Sequence, residues 1–232
     1  MIPWLDTDQP FPPVQRALRE PNGLLAAGGE LSVERLLDAY RNGIFPWYSD
    51  GQPVLWWSPD PRMVLAPRDI VISRSLRKRL RRGDCEIRTD TCFRDVMRAC
   101  AEPRADQDGT WITGEMVAAY AALHREGYAH SVESWVEGKL AGGLYGISIG
   151  RMFFGESMFS RASDASKAAL VHLARQLERW QFGLIDCQMS TPHLESLGAR
   201  EMARKDFMRA LTELVNYPTR LGKWHFDDDL FD

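Results

Sequence analysis

The glycine-rich apolar stretch from Gly142 to Ser160 constrains the fold most strongly. Two apolar runs flank Gly150-Arg151, and this pattern predicts two antiparallel β-strands joined by a tight turn. The stretch contains one carboxylate, Glu156, which lies among Phe153, Met158 and other large apolar residues. A charge in such surroundings costs free energy unless something pairs with it. The stretch therefore predicts a β-hairpin that carries a functional carboxylate.

A second candidate site lies at the end of the later apolar run Leu184-Ile185-Asp186-Cys187-Gln188. Successive side chains of a strand point to opposite faces, so alternation predicts that Asp186 and Gln188 share one face. An acid and an amide at a strand end are suited to orienting a substrate. We therefore expect Glu156, Asp186 and Gln188 to surround one pocket as the catalytic residues.

The charge balance favours a local rather than a global contact with nucleic acid. The 232 residues are 44% apolar and 26% charged, as in an ordinary globular protein, and the formal net charge is −3. A predicted helix breaks this balance, because six of the nine residues from 74 to 82 are basic. A charge run is usually a solvated face, but hardly any acid offsets this one. It favours contact with an RNA backbone through Arg74, Arg77, Lys78, Arg79, Arg81 and Arg82.

The remaining pattern divides the chain into a part rich in proline, glycine and tryptophan and a part with regular elements. The first part contains one clear helix, from Ser32 to Gly43, and an aromatic run between residues 45 and 57. That run is typical either of an aromatic lid between two domains or of a stacking surface for a nucleobase. An acidic segment at 227–229 is expected to be solvated. The later pattern predicts strands at 63–66, 70–72, 86–89, 131–137, 140–149 and 183–188, and helices at 93–101, 115–125, 163–180, 193–197 and 206–215.

Several common chemistries fit the sequence poorly. The run 155–159 resembles a serine-hydrolase elbow, but Phe159 replaces the final glycine. Cys187 and His193 form a weak nucleophile–base pair because no orienting group is evident. The five histidines lack metal-ligand spacing, and no phosphate-binding glycine loop is present. The sequence therefore predicts chemistry on a bound substrate without a metal or a cofactor.

The sequence also predicts a reduced cytoplasmic protein. No apolar run approaches the roughly 20 residues of a membrane span, and the first residues lack the features of a secretion signal. The four cysteines show neither metal-site nor redox-motif spacing. Their positions are Cys85, Cys92, Cys100 and Cys187.

Five motifs, in order along nearly the whole chain, together resemble the leucyl/phenylalanyl-tRNA–protein transferase family. Chance can match one such motif, but five long motifs in the same order are highly specific. The motifs are Arg19-Glu20-Pro21-Asn22-Gly23-Leu24-Leu25-Ala26, Gly43-Ile44-Phe45-Pro46-Trp47, Trp56-Trp57-Ser58-Pro59-Asp60-Pro61-Arg62, Gly155-Glu156-Ser157-Met158-Phe159-Ser160-Arg161 and Leu184-Ile185-Asp186-Cys187-Gln188.

This resemblance implies both a fold and a function. The expected fold is α+β, with a small N-terminal domain (1–61) and a larger GNAT-like acyltransferase domain (62–232) whose mixed sheet is flanked by helices. The expected reaction moves leucine or phenylalanine from leucyl- or phenylalanyl-tRNA to the N-terminal amine of proteins that begin with arginine or lysine. This marks the acceptor for degradation by the N-degron route. We expect the protein to act as a monomer.

The resemblance also implies roles for the candidate residues. Asp186 would hold Gln188 and the attacking amine, because an aspartate of pKa near 3.9 is a poor base for an ammonium of pKa about 7.7–8.0. It would accept a proton only after the amine has bonded, and Glu156 would pair with the amine or with the basic side chain of the acceptor. The implied aminoacyl-adenosine site consists of Trp47 and Trp111 for the adenine and of Leu144, Phe153 and Met158 for the amino-acid side chain.

Two other functions remain open at this point. An acyl-CoA-dependent N-acetyltransferase would share the expected fold, but its glycine-rich turn for CoA pyrophosphate is missing from residues 159–166. A non-catalytic RNA-binding protein would explain the basic helix and the aromatic residues. It would leave the cluster of Glu156, Asp186 and Gln188 without a purpose.

Overall fold

Two β-sheets organise the described part of the chain, which comprises residues 2–103 and 110–231 of a computed structural model. The first sheet has the strand order β1-β2-β4-β3. Helix α1 (Val33–Arg41) follows β2, and Ser32 caps it by accepting a hydrogen bond from the Arg35 N–H at 3.2 Å. The N-terminal part is thus a small sheet with a helix, not one helix with irregular flanks. Its strands are β1 (Trp4–Leu5), β2 (Leu24–Gly28), β3 (Phe45–Pro46) and β4 (Leu55–Trp57).

The aromatic run is more regular than its sequence indicates. Phe45 pairs with Trp57 and Pro46 with Trp56 across β3 and β4. Because β3 is an edge strand, it tolerates a proline that has no N–H to donate. Trp56 is completely buried, and its indole N–H donates to the Gly28 carbonyl at 2.8 Å. One tryptophan of the run is therefore a core residue.

The second sheet has seven strands in the order β11-β5-β10-β9-β8-β7-β6. Strands β9 and β10 pair in parallel, whereas the other neighbours are antiparallel. This mixed sheet, with helices on both faces, confirms the expected α+β fold with a small N-terminal part and a larger C-terminal part. The strands are β5 (Arg62–Leu65), β6 (Glu86–Thr89), β7 (Ala129–Val136), β8 (Lys139–Ile149), β9 (Met152–Ser160), β10 (Leu184–Gln188) and β11 (Arg200–Met202).

Helices cover the two faces of this sheet because its central strands are apolar on both. Tyr145 and Phe154 join a core that includes residues of α1, α3, α4 and α7. Their neighbours Leu144 and Phe153 face the other way and pack with residues of α5. The remaining helices are α2 (Arg74–Leu80), α3 (Phe93–Ala101), α4 (Gly114–Arg125), α5 (Ala165–Arg179), α6 (Pro192–Ser196) and α7 (Arg204–Leu214).

The hairpin predicted around Gly150 is confirmed, and β9 then separates from its parallel neighbour. The pairing of β10 with β9 runs from Leu184 and Met152 to Asp186 and Phe154 and ends there, whereas β9 pairs with β8 as far as Ser160. Beyond Phe154 a gap therefore opens in the sheet. The register between β8 and β9 shifts at the same level, which leaves Glu156 as the extra residue of a bulge.

The predicted strand at 70–72 is wrong. A short 3₁₀ turn at Pro67–Asp69 follows β5, and residues 70–72 have no regular structure. The free edge of β5 is instead covered by β11, which pairs Arg200 with Val64. The three residues of β11 are too few and too polar to show a strand pattern, so sequence periodicity does not predict this strand.

The C-terminal segment is also more ordered than predicted. Trp224 is 2% exposed and stacks on the His130 ring, with a centroid distance of 3.7 Å. The acidic residues beyond it bind α5, because the Gln176 amide and the Arg179 guanidinium donate to Asp227 at 3.0 and 3.2 Å. These carboxylates therefore tie the segment to the helix, although they remain exposed to solvent.

Candidate active site

A cavity of about 930 Å³ lies at the gap between β9 and β10. Strand β9 contributes Glu156 to its wall, and β10 contributes Gln188. The first sheet supplies further walls through β3, β4 and the loop between them. The cavity thus joins both sheets, and it brings together seven of the eight residues predicted for catalysis and aminoacyl-adenosine binding: Glu156, Gln188, Trp47, Trp111, Leu144, Phe153 and Met158.

Glu156 is held by three hydrogen-bond donors. The Tyr40 hydroxyl donates to Oε1 at 2.7 Å, and the Tyr120 hydroxyl donates to Oε2 at 3.1 Å. The Gln188 side-chain amide donates to Oε1 at 3.3 Å. Burial raises the pKa of Glu156 to about 7, although a tyrosine hydroxyl that donates to the ionised carboxylate acts to lower it. Near neutral pH both the protonated and the ionised carboxyl are therefore populated.

Asp186 lies behind Gln188 and is fully buried. The Arg62 guanidinium binds both of its oxygens, with Nε 2.8 Å from Oδ1 and Nη2 2.7 Å from Oδ2. Oδ1 also accepts the backbone N–H of Gln188 at 3.0 Å. Both carboxylate oxygens thus have protein donors, and Asp186 acts on the cavity through the backbone of Gln188.

Arg62 is fixed as firmly as its partner. Its Nη1 donates to the Gly43 carbonyl at 3.1 Å, and its guanidinium lies 4.8 Å from the ring centroids of both Phe45 and Phe207. A buried ion pair needs such additional partners, because desolvation of the two charges otherwise outweighs their attraction. Arg62 was not predicted as a site residue, although it ends one of the five motifs.

The prediction that alternation places Asp186 and Gln188 on one face is wrong. The pairing of β10 with β5 shifts register between these residues, and Gln188 has a left-handed φ of 57°. The bulge places both Cys187 and Gln188 on the cavity wall, with Asp186 behind them. The cause is local, since the Gln188 N–H turns to bond Asp186 instead of continuing the strand ladder.

The inner part of the cavity is apolar. Leu144 and Phe153 belong to the same buried core as Leu170, Leu173 and Ile185 of its lining, and Met158 packs against that core. We call the part lined by these six residues the apolar chamber. Its apolar character suits an aliphatic or an aromatic side chain.

Two tryptophans line the same cavity. Trp47 is 36% exposed, and its carbonyl accepts the indole N–H of Trp57 at 2.7 Å, which fixes the backbone next to the ring. Trp111 packs against the core that also contains Tyr120. An exposed indole beside a cavity presents an open π-face.

The basic residues of the predicted RNA contact lie outside this cavity. Helix α2 is capped by Ser73 and anchored by the buried Leu76, and Arg79 forms an ion pair with Asp84. A second cavity, of about 430 Å³, separates α2 from the residues that precede α5. Its lining is polar and consists of Ser75, Lys78, Arg79, Arg82, Ser163 and Asp164.

The two tyrosines that bind Glu156 were also missed from the sequence. Tyr40 looks like one member of the apolar stripe of α1, and Tyr120 looks like a core residue of α4. The only sequence signal was general: a buried carboxylate requires donors, and buried phenols require acceptors. Nothing in the spacing identifies which tyrosines satisfy Glu156.

The chemistries set aside from the sequence gain no support from the site. Cys187 and His193 both line the cavity, but burial raises the pKa of the thiol and lowers the pKa of the imidazole. In the described residues, no group of three or more His, Cys, Asp or Glu can hold a metal ion. Likewise, no helix of residues 2–103 and 110–231 is long and apolar enough to cross a membrane.

Comparison with known proteins gives a consistent result over nearly the full length. The family described as leucyl/phenylalanyl-tRNA protein transferase matches residues 64–212, and its N-terminal domain matches residues 29–60. A leucyl/phenylalanyl-tRNA–protein transferase of Nitrosospira multiformis is 64% identical over 229 residues, which cover 99% of each chain. One of Nitrosomonas europaea is 66% identical over 227 residues, which cover 98% of this chain and 96% of the relative.

Similarity to solved structures is weaker. A GCN5-related N-acetyltransferase from Kribbella flavida gives a TM-score of 0.37 at 10% identity, over 72% of this chain and 60% of that chain. Similarity at this level carries no argument about function.

Proposed function

Because the chain belongs to the leucyl/phenylalanyl-tRNA–protein transferase family, and is therefore an aminoacyltransferase, we propose that it transfers leucine or phenylalanine to proteins that begin with arginine or lysine. The donor is leucyl- or phenylalanyl-tRNA, and the acceptor is the N-terminal amine. The observation that carries this proposal is the apolar chamber beside Glu156 and Gln188 in one cavity. We propose further that the product enters the N-degron route and that the protein acts in the cytoplasm, where its charged tRNA is made, as a monomer.

The donor end of the cavity suits an aminoacyl-adenosine. Trp47 and Trp111 offer ring faces on which the terminal adenine can stack, a contact worth about 1–3 kcal/mol per base. The leucine or phenylalanine side chain then enters the apolar chamber, where Met158 provides a flexible wall that adapts to either shape. This arrangement directs the ester carbonyl towards Glu156 and Gln188.

Glu156 is the group best matched to the acceptor amine. The pKa of an α-ammonium is about 7.7–8.0, so an aspartate near 3.9 lies about 4 units too low to accept its proton efficiently. The pKa of Glu156, at about 7, reduces that gap to about one unit. We therefore propose that Glu156 exchanges protons with the reacting groups, while Gln188 orients the amine.

In this scheme Asp186 is a positioning residue. Arg62 and the Gln188 N–H occupy its two oxygens, which supports the orienting role expected from the sequence over a role as proton acceptor. Its contribution is to hold the bulge that presents the Gln188 side chain to the cavity.

The basic helix α2 supplies the proposed contact with the tRNA body. The cleft beside Lys78 and Arg82 provides cationic side chains away from the aminoacyl site. Backbone phosphates bound there would fix the tRNA while its acceptor end reaches the cavity.

A transfer assay tests the proposed function. The purified protein is incubated with leucyl- or phenylalanyl-tRNA and with four peptides that differ only in their first residue: arginine, lysine, alanine or methionine. We expect the arginine and lysine peptides to gain the mass of one leucine or phenylalanine residue, and the other two to remain unchanged. Equal transfer to all four peptides would contradict the acceptor specificity, and transfer to none would contradict the activity.

A further inference from the structure

Glu156 and the two tyrosines form a closed ring of contacts. Tyr40 belongs to α1, Tyr120 to α4 and Glu156 to β9, and the three polar groups contact one another pairwise. The Tyr40 hydroxyl lies 2.7 Å from Oε1, the Tyr120 hydroxyl lies 3.1 Å from Oε2, and the two hydroxyls are hydrogen-bonded to each other. Both tyrosines are completely buried, so these contacts have to be satisfied within the protein.

Counting hydrogens distinguishes the two states of this ring. Each phenol has one hydrogen to donate, and an ionised carboxylate has none. With Glu156 ionised, two hydrogens serve three contacts, and if both point to the carboxylate, the tyrosine oxygens face each other with lone pairs only. With Glu156 protonated, three hydrogens serve three contacts. The tyrosines cannot be the ionised partners, because burial and the nearby Glu156 raise the pKa of both hydroxyls well above the ordinary value.

We propose, on the basis of the transfer function above, that Tyr40, Tyr120 and Glu156 form a three-proton ring that stabilises the protonated form of Glu156 in the free protein. Tyr40 and Tyr120 are positioning residues in this ring, since they reach the cavity only through Glu156. The ring adds to the transfer function a specific protonation state from which the reaction starts.

The proton balance of transfer follows from that state. The neutral acceptor amine forms a bond from its nitrogen to the ester carbonyl carbon, and the bond from that carbon to the ribose oxygen breaks. Glu156 gives its proton to the departing ribose oxygen. Its carboxylate then takes the proton that the nitrogen must lose on becoming an amide. Glu156 ends protonated, the ring is closed again, and no external acid or base is consumed.

Some of the groups around Glu156 favour its protonated form, and others favour its ionised form. Burial favours the protonated form, and so does the negative charge of Asp186. A tyrosine hydroxyl that donates to the carboxylate favours the ionised form, and so does the positive charge of Arg62. Tyr145, which faces Glu156 from β8, has its own pKa raised by burial and by Glu156, so it stays neutral. Together these groups place the pKa of Glu156 at about 7, consistent with a proton that is held yet exchangeable.

Infrared spectroscopy on the substrate-free protein tests the ring directly. The protein is labelled with ¹³C-glutamate, and the spectrum of Glu156→Gln is subtracted from that of the wild type at each pH. We expect the band of one protonated carboxyl to be present below about pH 7 and to disappear above it. A carboxylate that stays ionised down to pH 5 would overturn the proposal. Because no substrate is present, this result is independent of whether transfer occurs.

Removal of one tyrosine hydroxyl at a time distinguishes the proposed ring from an arrangement in which each tyrosine donates independently to Glu156. If the tyrosines simply donate to an ionised carboxylate, Tyr40→Phe or Tyr120→Phe should raise the pKa of Glu156 by about 1–2 units. In the ring, each deletion removes two of the three hydrogen bonds of the protonated form and relieves the lone-pair repulsion of the ionised form. We therefore expect the pKa to fall, by about half a unit to one unit.

The control and the kinetic readout complete the test. Tyr128→Phe removes a phenol that packs against the same core outside the site, and it should leave the titration unchanged. One apparent pKa of the pH profile of kcat/KM, measured with an aminoacyl-adenosine donor, should match the infrared pKa of Glu156 and shift with it in both ring variants, while the pKa of the acceptor amine stays constant. A rise in pKa, or no change in folded Tyr40→Phe and Tyr120→Phe, would overturn the ring.

Discussion

Arg62 and Asp186 form the most deeply buried ion pair of the described residues, and both side chains are completely inaccessible. Removal of the charge by Asp186→Asn leaves the guanidinium buried without a counterion. We expect this change to lower the free energy of unfolding by about 3–5 kcal/mol, measured by denaturant titration. The double variant Arg62→Met with Asp186→Asn leaves no uncompensated charge and should recover much of the loss. A double variant that is less stable than Asp186→Asn would show that the pair itself is not the cause.

The catalytic consequence is separable from stability. Asp186→Asn and Gln188→Ala should each slow transfer under conditions where both variants are folded, by about 10²-fold, the cost of misplacing a reacting group by about 1 Å. Because Asp186 acts through the Gln188 backbone, the double variant should be little slower than the worse single variant. The rates are measured in single turnover with an aminoacyl-adenosine donor. If the loss of rate in the double variant is instead the product of the two single losses, Asp186 and Gln188 have independent roles.

At the scale of single elements, β9 provides the wall of the apolar chamber. Met158→Trp introduces a larger and stiffer side chain into that wall, and we expect transfer of both leucine and phenylalanine to fall while binding of the acceptor peptide is unchanged. Transfer rates with the two charged tRNAs and calorimetry with an arginine-initiated peptide measure the two effects. Normal transfer of both amino acids would mean that Met158 lies outside the acyl site.

Helix α2 is the element whose role depends most on the electrostatics of tRNA. Replacement of Arg77, Lys78 and Arg81 by alanine should weaken tRNA binding and flatten its salt dependence, by about 0.7–0.9 in the slope of log K against log salt for each phosphate that is no longer neutralised. Transfer from an aminoacyl-adenosine, which has no such backbone, should be almost unaffected. The matched control, Lys205→Ala with Arg209→Ala on α7, should bind tRNA as the wild type does. An equal loss of transfer from charged tRNA and from aminoacyl-adenosine would indicate that α2 has only a structural role.

The elements that were predicted correctly share a clear local pattern. The hairpin of β8 and β9, helix α5 and strand β10 combine long apolar runs with turn or cap signals, so their bounds were predicted to within a few residues. Strands β1, β3 and β11 have two or three residues each, too few for any period. The site was harder to predict, because its main contacts join residues far apart in sequence: Tyr40 to Glu156 and Arg62 to Asp186. That Glu156 and the two tryptophans line one site was predicted only from the family resemblance and not from the spacing of the residues.

For the whole molecule, the raised pKa of Glu156 links stability to pH. The folded protein holds a proton on Glu156 up to about pH 7, whereas the unfolded chain releases it near the ordinary value of about 4.3. Between these values the folded state binds more protons, so the contribution of Glu156 to stability falls as the pH rises and becomes constant above the folded pKa. Glu156→Gln lacks this titration. We therefore expect its stability relative to the wild type to increase from pH 5 to pH 7.5 in parallel denaturant titrations, and a flat difference would contradict the raised pKa.

The two sheets are joined by the site as well as by packing. With the proposed domain boundary between residues 61 and 62, Arg62 is the first residue of the larger domain and binds both the Gly43 carbonyl and Asp186. Tyr40 extends the junction from α1 to Glu156. A separation of the two domains would therefore break the contacts that orient Gln188 and Glu156, so we expect the domains to unfold together.

The placement of Trp224 has a consequence for synthesis on the ribosome. Its ring packs against His130 and lies 5.9 Å from the centroid of Phe153, a wall of the apolar chamber, and its backbone N–H donates to Asp90 at 2.8 Å. In chain order Trp224 follows all eleven described strands, and translation adds about 5–20 residues per second. During elongation, the wall of the apolar chamber therefore lacks the ring that packs behind it until residue 224 has emerged. A nascent chain stalled before residue 224 is expected to expose this apolar surface to chaperones, and the donor site matures only after Trp224 has emerged.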